Sequence, residues 1–234
     1  MTRPDDTAGR HGANTIRAYL SRRWEPLFLI VVTLLLIAQV LLFVSSETSV
    51  LASTSAAVAA FFQVESFIAY RFAFLASPMF YLPLLYLLVC RRRPFWARHF
   101  MDVVGIYIVA RMFVQLIGLN LLVFDSVTPR FTLITQLLFF LPYSLLVWGW
   151  IYWRLDELFG NADYRLFQIE CEQSPHQRPI DYLVASLSTA FSASISGIKA
   201  RSARAKLLLL VHGIFIYDLM GLTLSRAVAL IQSN

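Results

Sequence analysis

The sequence predicts an all-α integral membrane protein, a helical bundle of five spans with a re-entrant helix–turn before the last span. Two observations carry that prediction. Hydrophobic residues make up 58% of the 234-residue chain against 15% charged, and the mean hydropathy is +0.64. Several apolar runs exceed ~18 residues, the length that reads as a membrane span. The second observation is where the charge lies. The net charge of +6 falls in short basic clusters beside the apolar runs, which is how a chain is oriented in a bilayer. The expected partner is therefore the lipid bilayer, and no nucleic acid.

The elements follow in order. Residues 1–26 form a polar, basic segment with Arg3, Arg10, Arg17, Arg22 and Arg23. The apolar run Leu27–Val44 is long for a signal-peptide core and no small-residue cleavage site follows it, so it reads as an uncleaved first span. Ser45–Gln63 holds one acid, Glu47, and no base; it reads as an external loop with an interfacial helix. The second span, Ser66–Cys90, ends at Arg91-Arg92-Arg93. Met101–Phe124 and Phe131–Trp153 are the third and fourth, so that residues 27–153 make a four-span domain. A polar linker, 154–178, leads to residues 179–234. These carry a short amphipathic helix, Asp181–Ala190, a polar turn, Phe191–Gly197, and a last span, Leu207–Ile231.

Basic residues set the orientation. The N-terminus, Arg91–Arg98 and Lys199–Lys206 are basic, whereas Ser45–Gln63 is not. A cytoplasmic N-terminus in the cell (inner or plasma) membrane satisfies all of them and puts the re-entrant segment inside. Trp24, Trp96, Trp148, Trp150 and Trp153 then fall at the same inner boundary, where tryptophan is favoured.

Charges within the spans are the next signal, because an isolated one costs about 2.5–3.5 kcal/mol on the mildest scale. Arg71 and Arg226 lie near enough to the outer interface to snorkel. Arg111 is about 15 Å in from Met101 and Asp218 about 18 Å in from Lys206, so equal depth predicts an Arg111–Asp218 ion pair tying the third span to the last. His212 reads as a buried histidine bonded to a neighbour. Gly213 and Gly221 fit a hinge in the last helix or a close helix contact.

No enzyme chemistry is legible. Cys90 and Cys171 have no redox or metal spacing, the four histidines are scattered, and no HExxH, P-loop or GxSxG pattern occurs. No metal and no cofactor are expected.

The segment Pro179-Ile180-Asp181-Tyr182-Leu183-Val184-Ala185-Ser186-Leu187-Ser188-Thr189-Ala190-Phe191-Ser192 resembles the pore helix and filter approach of two-transmembrane potassium channels. Asp181-Tyr182-Leu183, Thr189-Ala190-Phe191-Ser192, Arg204-Ala205-Lys206 and Trp153-Arg154-Leu155-Asp156 look closer to a family of uncharacterised bacterial membrane proteins. The resemblance covers roughly residues 148–231. It implies a channel-like protein conducting monovalent cations through a homo-oligomeric pore. Thr189, Phe191, Ser192 and Ser194 would line the constriction, with Arg111 and Asp218 as gate or brace. Two departures stand against it. The filter position has no glycine, whose backbone freedom a potassium filter uses, and charge counting puts the loop on the cytoplasmic side. The alternative is a non-conducting scaffold or partner subunit that keeps a channel-like fold.

Overall fold

Apolar runs of this length become helices because a bilayer offers the backbone no hydrogen-bond partner, so each segment must satisfy its own N–H and C=O groups. A computed structural model describes residues 23–39, 56–90, 94–124, 130–159, 166–169, 178–192 and 198–232. Helix α1 covers residues 23–39. It is followed by α2 (Ala56–Val89), α3 (Ala97–Phe124), α4 (Arg130–Phe159), β1 (Phe167–Ile169), α5 (Pro179–Ser192), β2 (Ile198–Ala200) and α6 (Ala203–Gln232). The described residues are all-α apart from one two-stranded ribbon.

Among the described residues three stretches are long and apolar enough to cross a membrane: Ala97–Val123, Leu133–Phe159 and Ala203–Ser225. The surface agrees with a membrane protein. Ile106 and Ile117 of α3, Leu138 of α4 and Leu210 and Ile214 of α6 face outward. Arg111, Gln115, Gln136, Arg154, Asp156 and His212 are buried. Water would favour the reverse arrangement; hydrocarbon favours this one.

Helices α1 to α4 alternate in direction, and their contacts show it. At one end of the bundle, Arg23 donates to the carbonyls of Leu88 and Cys90, which are left unpaired at the close of α2. At the same end Arg98 bridges Glu25 (3.2 Å) and Glu157, and Arg154 bridges Glu157 (3.2 Å) and Asp102. This chain of alternating charges joins the start of α1, the start of α3 and the end of α4. Trp24 meets Trp153 edge-on at 4.8 Å, and Trp96 stacks near Tyr86.

The other two tryptophans correct the sequence reading. Trp148 and Trp150 are buried in the core, Trp148 against Phe113 and Phe215 and Trp150 against Gly105, where an added Cβ would lie 2.0 Å from the indole. They are packing residues and not interfacial anchors. Three boundaries also move. Residues 56–63 are continuous with α2, and α4 runs on through Phe159 into the expected linker. Helix α5 extends through Phe191 and Ser192, which the sequence reading assigned to the turn.

Gly149 sets the distance between α4 and α5. A Cβ there would lie 2.4 Å from Leu183 Cδ2 and 2.9 Å from Leu183 Cα. The second atom is backbone, so the helices themselves would have to part. Gly149→Val is expected to cost about 1–3 kcal/mol or more, seen as a lowered unfolding midpoint in detergent. An unchanged midpoint would show that the contact is looser than this geometry.

Candidate functional site

Side chains converge where α4 ends and α5 begins, and Asp156 is their centre. It is 6% exposed. Its Oδ1 accepts the backbone N–H groups of Leu166 (2.7 Å) and Phe167 (3.4 Å), and its Oδ2 accepts the Tyr182 hydroxyl. A buried carboxylate needs several donors to replace water, and here they come from the chain segments on either side of residues 170–177.

The two amides hold β1 in place. Strand β1 pairs antiparallel with β2, with Phe167 opposite Ala200 and Ile169 opposite Ile198. The Arg201 N–H donates to the Leu166 carbonyl at 3.0 Å. The segment that contains α5 therefore leaves and rejoins the bundle at one place.

Helix α5 starts on local chemistry. Pro179 occupies its first position, where the missing N–H costs nothing. Asp181 reaches back to accept the Arg178 N–H at 2.6 Å, one half of a capping box. From there α5 runs antiparallel along α4. Tyr182 meets Asp156, Leu183 lies on Gly149, and the Ser186 hydroxyl donates to the Leu145 carbonyl at 2.9 Å. With 14 residues it is about 21 Å long, short of the ~30 Å hydrocarbon core.

Of the expected filter residues, Thr189, Phe191 and Ser192 lie on α5. Thr189 is buried in α5 and its hydroxyl donates to the Ala185 carbonyl of the same helix at 2.9 Å. Phe191 and Ser192 are the last residues of α5. Ser194 lies outside the described residues. What faces outward on α5 is apolar: Ile180, Val184 and Leu187.

Below the Asp156 junction, His212 of α6 is fully buried. Its Nδ1 is 2.6 Å from the Tyr152 hydroxyl, and its ring stacks on Trp148 at 4.4 Å. This is the bonded core histidine that the sequence predicts.

The Arg111–Asp218 pair does not form. Arg111 instead meets Glu65 of α2 at 2.9 Å, both largely buried. Asp218 accepts the Asn120 side-chain amide of α3 at 2.8 Å. The reason is stagger. Phe215 packs on Phe113 and Asp218 lies beside Asn120, so α6 runs parallel to α3 but is shifted along it. Arg111 thus braces α2 to α3, and Asp218 braces α6 to α3. Helix α6 is continuous through Gly213 and Gly221, and among the described residues no other element comes within 4 Å of a Cβ added at Gly221.

Sequence reasoning missed Glu65, Asn120, Asp156, Tyr182 and Ser186. Glu65 stands one position before the predicted second span and Asp156 just inside the predicted linker, where sequence position gives no sign that a carboxylate is buried. The i,i+4 spacing of Tyr152 and Asp156 on one face of α4 was the available signal. Comparisons with known protein families, with curated proteins and with solved structures returned no match. Among the described residues no cluster of His, Cys, Asp or Glu could hold a metal ion.

Proposed function

We propose that the protein is a five-span membrane protein of channel-like build, cytoplasmic at its N-terminus, in which α5 re-enters the bilayer as a fixed wedge. On this reading it serves as a non-conducting scaffold or partner subunit. The observation that supports it is the way α5 spends its polar groups. Tyr182, Ser186 and Thr189 are bonded to α4 or to α5 itself, and Leu183 is seated on Gly149. A filter is built from carbonyls or side chains that face the ion, and the side chains of Tyr182, Ser186 and Thr189 face the chain itself. The length of α5, about two-thirds of the hydrocarbon thickness, and its course from the end of α4 to the level of Leu145 are what a re-entrant element requires.

Ion flux tests this directly. Purified protein of verified helicity, reconstituted in liposomes, is expected to pass potassium, sodium and chloride no faster than protein-free vesicles, and Ser192→Trp is expected to change nothing. Monovalent-cation flux that Ser192→Trp blocks would replace the scaffold with an oligomeric cation channel.

A further inference from the structure

Helix α6 is only partly covered by its own chain. Leu207, Leu210, Ile214, Tyr217 and Leu224 are exposed, with Gly221 between the last two. Any outward stripe on a helix shows such three-and-four spacing, and lipid alone would cover aliphatic side chains. Three residues in this stripe do not suit lipid. Tyr217 is 82% exposed and lies about 21 Å along α6 from Ala203, so its hydroxyl stands deep in the span with no water to bond. Gly221 leaves bare backbone facing open space. Asp218 is part-exposed beside them and is held by the Asn120 amide, a neutral partner that does not compensate a carboxylate in hydrocarbon.

We propose that copies of this chain associate through the outward face of α6, the Tyr217 ring of each lying over the partner's Gly221 with its hydroxyl donated to the partner's Asp218. Copies inserted with one orientation present parallel α6 helices. With Ile214 and Gly221 as a positions and Tyr217 as d, a parallel left-handed contact puts Tyr217 in the hole formed by the partner's Ile214, Tyr217, Asp218 and Gly221. The glycine gives the ring its room, as small residues do between membrane helices. The carboxylate supplies the acceptor. One contact thereby covers all three residues that lipid serves badly. The inference rests on the membrane reading and not on whether the chain conducts.

Energy transfer between donor- and acceptor-labelled full-length chains, in phosphatidylcholine vesicles over a range of protein-to-lipid ratios, tests it. The expected result is association above the random-collision level, weakened at least about tenfold by Gly221→Leu. Tyr217→Phe, which removes one interhelical hydrogen bond, should weaken it about threefold. Leu138→Trp, on an outward face of α4, should have no effect. A Cβ added at Gly221 meets open space, and circular dichroism of the Gly221→Leu protein separates loss of association from loss of fold. Random-level transfer for the wild type at every dilution would overturn the proposal, as would association indifferent to Gly221→Leu. Ion flux is not read in this assay, so its outcome is independent of the flux measurement.

Discussion

Asp156→Ala is expected to free α5 from the bundle while leaving α1 to α4 associated. The substitution removes the acceptor of two backbone amides and one buried hydroxyl. Leaving a buried donor unsatisfied costs about 1–3 kcal/mol, and contacts sharing one acceptor do not add in full. The combined loss should be on the order of 3–5 kcal/mol. Tyr182→Phe removes only one donor and should cost about 1 kcal/mol, which separates the hydroxyl from the amides. Limited trypsin digestion at Lys199 and Arg201, the exposed basic residues where the segment carrying α5 rejoins the bundle, reads the release, and the thermal midpoint in detergent reads the energy. If Asp156→Ala kept both the wild-type midpoint and wild-type resistance to trypsin, Asp156 would not be the joint described here.

The Arg111–Glu65 pair should give the second large effect, and an asymmetric one. Both groups are mostly buried, and breaking a buried pair strands a charge at a cost of about 3–5 kcal/mol. Glu65→Gln strands a guanidinium, which cannot shed its proton. Arg111→Met strands a carboxyl, which can become neutral by taking one. Glu65→Gln should therefore be the worse of the two. The double variant Glu65→Leu with Arg111→Met should return close to the wild type, since an apolar pair of similar volume is often no less stable than a buried ion pair. Denaturation of the wild type, Glu65→Leu, Arg111→Met and the double variant in one detergent gives the coupling. Additive single effects would mean that the two side chains act separately.

Much of the fold was legible because membrane solvation leaves so few options. Composition and run length are enough to announce helices in hydrocarbon, and the Arg91–Arg93 and Lys199–Lys206 clusters mark their ends. Partner choice was not legible in the same way. Arg111 and Asp218 were matched by counting from helix ends, a count that assumes helices start level. The packing of Phe215 on Phe113 shows that α6 and α3 do not. Nor could counting distinguish Trp153, which meets Trp24 at the bundle end, from Trp150, which fills the space left by Gly105. Strands β1 and β2 are three residues each, too short for any period to show. Tyr182 and Ser186 lie within the segment that carries the resemblance, but their partners, Asp156 and the Leu145 carbonyl, show only when α5 is laid along α4.

The pairing of β1 with β2 has a consequence for how this chain can vary. Because Leu166 and Arg201 are hydrogen-bonded neighbours, the polypeptide makes an excursion between them and returns to its point of departure, like a side branch on a main line. The path from α4 to α6 is short-circuited at that root. The separation of the excursion's ends is set by the strand pairing and not by its length, and doubling the length of a closed loop adds only about 0.6 kcal/mol of closure entropy. The branch can be shortened, lengthened or furnished with another helix while the trunk keeps its packing.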